Sequence, residues 1–275
     1  MSAIHLARSG YITKSALPSV TRTRTVAPIL YAKFDEAAGS TTPLDSSPYA
    51  NTMTCVGSAL LSSAQAKFGT TSLRLINTGD YVSLGVDQGG DRFNLAAENW
   101  TIEFWLYLNS LPSSDKTILT LNGTAASSGG GSNGFAQVRI DARASGSVFF
   151  LVGGTTSNTW IYNTALANNT FAAGSWQHVA AVRNGSAFNF YVNGTSRASF
   201  TSTQSLQDFN GYTLIGSVFA SGSFLLTGLN GYVDALRIFK GAAIYTSNFT
   251  PPSSLPADTQ SASISNAIYG MNQLK

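Results

Sequence analysis

The chain has few residues able to do covalent or metal chemistry, and each can be weighed in turn. Its only glutamates are Glu36, Glu98 and Glu103. Hydrolysis of a sugar linkage with retention needs two carboxyl groups about 5 Å apart, one as acid and one as nucleophile. Glu98 and Glu103 are five positions apart, so a continuous strand turns them to opposite sides. Glu103 with Asp234, from a separate segment, is the geometrically possible pair. Structural hydrogen bonding is the simpler role for both, and no enzymatic activity is expected. His178 has no Ser or Cys motif beside it and reads as a packed core histidine. His5, His178 and Cys55 make no transition-metal set. Asp80, Asp87 and Asp91, in GDYVSLGVDQGGD, offer the oxygen ligands a calcium ion takes. Turn formation is the other role for these aspartates.

Binding chemistry has two further candidates. Asn158, Trp160, Tyr162 and Asn163 in SNTWIYN combine aromatic rings for stacking on a sugar with flanking amides. Trp160 and Tyr162 are two apart and share a strand face, which also suits core packing. Residues 1–28 hold Arg8, Lys14, Arg22 and Arg24 with no acidic residue, the first carboxylate being Asp35. They read as an extended basic arm that docks on a partner, or else as a solvated terminus. Its TRTRT alternation lacks interleaved aromatics, so nucleic acid is not the expected partner.

These residues sit on short β-strands. Trp176–Arg183 and Ser186–Val192 are joined by Asn184-Gly185, and Asn193-Gly194 leads into Thr195–Phe200. Asn-Gly suits a two-residue type I′ turn, because both central residues need positive φ. The stretch therefore predicts a three-stranded meander with Phe188, Phe190 and Val192 on its buried face. Strands are also expected at Ile29–Asp35, Ser72–Ile76, Tyr81–Leu84, Trp100–Leu108, Thr117–Leu121, Phe135–Asp141, Val148–Val152, Trp160–Tyr162, Tyr212–Ile215 and Gly231–Phe239. Residues 122–134 are a Gly/Ser-rich loop. Helical periodicity is sustained nowhere, and many short strands imply a jelly roll or sandwich. Trp100, Trp105 and Trp176 are assigned to packing.

At 275 residues the chain can bury one large core. Charged residues are 11% of it, hydrophobic residues 43%. This indicates a folded body with a hydroxyl- and amide-covered surface rather than disorder. A net charge of +3 is too small to argue for nucleic acid, and a single cysteine allows no internal disulfide. The first residues lack the apolar stretch of a secretion signal, and no run reaches the roughly 18 apolar residues of a membrane span. Manufacture outside the secretory route and no membrane partner are the expectations.

The elements KFGTTSLRL (67–75), GDYVSLG (79–85), WTIEFWLYL (100–108), WQHVAAVRNGSAFNFYVNG (176–194), YTLIG (212–216) and LNGYVDALRIFKGAAIYTSNFTPP (229–252) resemble, in order, the laminin-G-like, concanavalin-A-like jelly-roll family. The resemblance covers residues 29–256 and implies two curved antiparallel sheets, with glycan or protein binding at a rim in many members. It directs the calcium expectation to Asp80, Asp87 and Asp91, since many such domains carry one ion at a loop rim. Related glucanases carry an E-x-D-x-x-E pattern, absent here. The closing GAAIYTSNFTPP resembles versions frequent in bacteriophage structural proteins. The expected organisation is an arm (1–28), a jelly roll (29–256) and a polar tail (257–275). The expected function is a bacteriophage virion structural protein, of decoration or appendage type. It is assembled in the host cytoplasm, docked on shell or tail proteins through the arm, and homo-oligomeric. The alternative is an adhesin that recognises cell-surface polysaccharide through rim loops 122–134 and 155–163.

Overall fold

In chain order the strands are β1 (Thr21–Val26), β2 (Leu30–Ala32), β3 (Thr54–Val56), β4 (Leu60–Ser62), β5 (Ser72–Leu75) and β6 (Tyr81–Val86). Next come β7 (Trp100–Leu108), β8 (Lys116–Thr124), β9 (Phe135–Ala142), β10 (Val148–Gly153), β11 (Trp160–Ala165) and β12 (Trp176–Asn184). The series ends with β13 (Ala187–Val192), β14 (Thr195–Thr201), β15 (Tyr212–Ile215), β16 (Ser217–Ala220), β17 (Ser223–Leu226), β18 (Gly231–Lys240) and β19 (Gln260–Ser265). The structure is a computed structural model and describes residues 21–86, 91–124, 135–156, 159–220, 223–226 and 228–265. No helix among the described residues is long and apolar enough to cross a membrane.

Two antiparallel sheets form a jelly-roll sandwich. The first has seven strands in the order β11-β10-β9-β8-β15-β6-β3. The second runs β14-β13-β12-β7-β18-β5-β4, with β2 also paired to β18. Alternation along each strand sends one set of side chains inward: Ile102, Phe104 and Leu106 from β7, Phe188, Phe190 and Val192 from β13, and Val138 and Ile140 from β9 all join one buried cluster. Each fully buried large side chain of this kind contributes about 1.5–3 kcal/mol.

The meander is present, with one change of register. Asn193 (φ 51) and Gly194 (φ 73) form the expected type I′ pair between Val192 and Thr195. At the other hairpin Asn184 pairs with Ala187, so the loop is Gly185-Ser186 rather than Asn184-Gly185. Only Gly185 has positive φ there, the pattern of a type II′ turn, whose first central position demands glycine.

A bulge in β18 matters more for function. Its register on β7 shifts between Asp234 and Arg237, with Ala235 at φ 47. The extra residue puts Asp234 and Arg237 on the same outer face, opposite Trp105 and Glu103. That face is roofed by residues 241–259. Thr101 Oγ1 donates to the Ala242 carbonyl and accepts from Ile244 N–H. Ala243, Tyr245 and Phe249 lie on Ala180, Val182 and Tyr191. The expected closing motif is thus a strap over the second sheet.

Residues 21–26, expected to be part of the extended basic arm, form β1 and pair antiparallel with β19 from the tail. Val26 and Ala262 pack with Phe239 and Ala242 on the strap side of the second sheet. Arg24 is exposed on this ribbon. Arg8 and Lys14 lie outside the described residues.

Candidate functional site

The site begins with Asp45 in the Pro43–Asn51 loop. Its Oδ1 accepts from Tyr31 N–H and Ser47 N–H, both at 2.8 Å. Its Oδ2 accepts from the Ser47 hydroxyl (2.7 Å), Asn51 N–H (2.8 Å) and the Asn51 side-chain amide (2.6 Å). Asn51 also donates to the Ile29 carbonyl at 2.8 Å. With its Nδ2 so engaged, Asn51 turns its Oδ1 to accept from Arg92. The Arg92 guanidinium lies over the ring of Tyr49, 4.6 Å from the centroid, and Tyr49 is 50% exposed. One buried-edge carboxylate therefore aligns an amide, a guanidinium and an aromatic ring in series.

These residues form one wall of a cleft of about 650 Å3. The sheet supplies the rest. Val82 and Cys55 face the core, so Tyr81 and Ser83 of β6 and Thr54 and Val56 of β3 face outward into the cleft. Phe224 of the β16–β17 hairpin stacks on Tyr81 at 5.3 Å and closes one end. Among the described residues the lining contains no carboxylate. Rings for stacking, hydroxyls and amides for directional hydrogen bonds, and one guanidinium make a surface suited to a polar, ring-shaped ligand.

The sequence-derived candidates lie elsewhere. Trp160 and Tyr162 sit on β11, at the edge of the first sheet opposite to the cleft. They do not share a face. A register shift pairs Val152 with Tyr162 but Gly153 with Trp160, leaving Ile161 as the inserted residue. Tyr162 turns inward and stacks on Phe200 at 4.3 Å, while Trp160 stacks on Phe135 at 4.9 Å on the outer side. Asn163 is exposed, and Asn158 lies outside the described residues.

Asp80 is buried, and both its oxygens accept backbone N–H groups: Ser58 at 2.7 Å, Ile76 at 3.1 Å and Asn77 at 2.8 Å. It is a turn-former whose carboxylate is already engaged. Asp91 is exposed with φ 62, and its carbonyl accepts from Lys240. Asp87 lies outside the described residues. Among the described residues no three His, Cys, Asp or Glu side chains gather to hold a metal ion.

Glu103 lies beneath the strap. Its Oε1 accepts from Arg237, and its Oε2 accepts from His178 Nε2 at 3.0 Å and the Tyr245 hydroxyl at 2.7 Å. Burial alone raises its pKa, but His178, Arg237 and Tyr245 together hold it below the usual carboxylate range. Asp234 takes the opposite course. Burial dominates and pushes its pKa to about 7, against the lowering effect of the Phe68 and Lys67 N–H groups that donate to its Oδ2. Cys55 is a free thiol that burial, then the nearby Asp80 charge, pushes to about 11.

Two antiparallel sheets in jelly-roll order, with a polar aromatic cleft on an outer face, define a lectin-like binding sandwich. The chain belongs to the concanavalin A-like lectin/glucanases superfamily, which it matches over residues 74–243, more than half its length. Among curated protein sequences nothing matches it. Among solved structures it is similar to the botulinum neurotoxin serotype D binding domain, at 13% identity and a TM-score of 0.51. There the match covers 78% of this chain and 48% of that one. It is also similar to the binding domain of botulinum neurotoxin DC in complex with SialylT, at 15% identity and a TM-score of 0.54, over 84% and 49% of the two chains. The same domain in complex with rat synaptotagmin II matches at 13% identity and a TM-score of 0.53, over 84% and 49%. The chain spans about half the length of these structures, and at such identity the likeness is one of fold.

Proposed function

We propose that this protein is a glycan-binding module whose ligand occupies the cleft between Tyr49, Asn51, Ser83 and Arg92. The observation that carries this reading is the Asp45–Asn51–Arg92–Tyr49 series, which holds a stacking ring and a donor group in fixed relation before any ligand arrives. Preorganisation of this kind reduces the ordering a ligand must impose. Superfamily membership supports the reading, as does a structural neighbour solved with SialylT. Recognition through the rim loops 122–134 and 155–163, with Trp160, is the sequence-based alternative for the same function. A glycan array probed with the wild type, Tyr49→Ala and Trp160→Ala separates the two. Loss of signal with Tyr49→Ala alone supports the cleft, and loss with Trp160→Ala alone moves the site to β11.

A second reading concerns attachment to a virion or another large assembly. One observation favours it: β1 and β19 bring residues 21 and 265 side by side on the strap side of the second sheet, while the cleft opens on the outer face of the first. A module tethered there would present its cleft outward. Contact of Arg8, Lys14, Arg22 and Arg24 with shell or tail proteins, and assembly into a homo-oligomer, belong to this reading. Co-sedimentation of wild type and Arg8→Ala/Lys14→Ala protein with particles lacking it provides the test. Equal sedimentation of the two removes Arg8 and Lys14 as the anchor.

A further inference from the structure

We infer that the cleft selects sugars carrying a carboxylate, with Arg92 as the group that reads it; this rests on the glycan-binding reading above. Arg92, like Lys67, Arg74 and Arg183, has no ion pair among the described residues, and of these four it is the one that lines the cleft, whereas other cations are paired. Arg143 faces Asp115 at 2.8 Å, Lys33 faces Asp258 at 2.8 Å, and Arg139 and Arg237 pair with Asp141 and Glu103. Among the described residues no carboxylate pairs with Arg92. Its one side-chain hydrogen-bond partner among them is the neutral Oδ1 of Asn51. A second cleft, beside Asp115, shows the contrast, since the arginine lining it is the one already neutralised by that aspartate.

The setting of Arg92 makes it a preset reader of anions. Stacking on Tyr49 fixes the plane of the guanidinium, and the Asn51 bond at Nη1 fixes its rotation within that plane. A fork held in this way matches the two oxygens of a carboxylate, and since a tetrahedral sulfate can also offer two oxygens, the sulfated arm of the test below separates the two. Thr52, Thr54 and Ser83 line the same cleft and carry the donors and acceptors that ring hydroxyls require. A neutral sugar fills the cleft but brings the cation no counter-charge.

The test is binding of the full chain to paired glycans, each acidic polysaccharide (polygalacturonate, alginate, a sialylated oligosaccharide) set beside its carboxyl-reduced form, with dextran sulfate as a third arm. The expected result is binding of at least one acidic glycan, weakened about 10- to 100-fold in its reduced partner. In Arg92→Gln the two partners bind alike. Equal binding of both partners by the wild type overturns the charge inference and leaves glycan recognition standing. Preference for dextran sulfate overturns the carboxylate assignment. Binding to none of the glycans, charged or neutral, overturns both readings. The wild-type pair comparison needs no variant. Asn51→Ala, which frees the guanidinium without removing its charge, gives an independent loss of selectivity measured alongside the melting temperature.

Discussion

The hydroxyl of Tyr245 donates to Glu103 Oε2 at 2.7 Å, joining the strap to the middle of β7 across 142 positions of sequence. Tyr245→Phe removes only this oxygen. A hydrogen bond to a charged acceptor contributes about 1.5–3 kcal/mol, so a loss of that size is expected in urea unfolding. The stacked ring of Phe249, 3.6 Å away, stays in place.

Glu103→Ala leaves the buried Arg237 without its carboxylate. Breaking a buried pair in this way typically costs about 3–5 kcal/mol, measurable as a fall in the denaturation midpoint. In the wild type the Glu103 pKa is lowered on folding. Its stabilising contribution is therefore fully present above the ordinary glutamate pKa and is lost as pH falls through the folded value. Glu103→Gln is expected to flatten the stability profile in acid, below about pH 4.5.

Asp234 has the reverse sign. Its folded pKa of about 7 lies above the model-peptide value of 3.8, so the folded state holds a proton that the unfolded state releases. The associated stability is complete below pH 3.8 and declines as pH rises to about 7, by at most about 1.4 kcal/mol per pH unit. Asp234→Asn keeps an oxygen for the Lys67 and Phe68 N–H groups and removes the titration. Thermal melts between pH 4 and 8 are expected to show a downward slope in the wild type that the variant lacks.

Tyr49→Ala separates binding from folding. The ring is half exposed, so stability is expected to change by no more than about 1 kcal/mol, the scale of its contact with Arg92. Glycan affinity, measured by calorimetry, is expected to fall at least about tenfold, since the ring both stacks and orients the guanidinium.

Strands with strong alternation, such as Trp100–Leu108 and Phe188–Val192, were legible because one face of each must be buried. Glu103 and His178 lie on the opposite, outer face, and the strap that buries them there was not legible as a cover. The position of Trp160 was not legible either, because a single inserted residue, Ile161, reverses the facing of all that precedes it on β11. The cleft was hidden for another reason. Tyr49, Tyr81, Arg92 and Phe224 come from four separate segments, and the tertiary fold alone brings them together. Locally, Arg92 in GGDRF is one charge in a polar loop. The pairing of β1 with β19 joins two polar segments without alternation strong enough to announce a strand.

The β1–β19 ribbon also determines how the molecule responds to force. Tension applied through residues 20 and 266 falls first on the Thr21–Ser265 pair and then passes inward to Val26–Gln260. That geometry peels the ribbon open one rung at a time instead of shearing all rungs together. The ribbon would yield at low load and lengthen the tether while the sandwich, and the cleft on its far side, stayed intact. A module held by its ends against flow or agitation would thus have a built-in shock absorber.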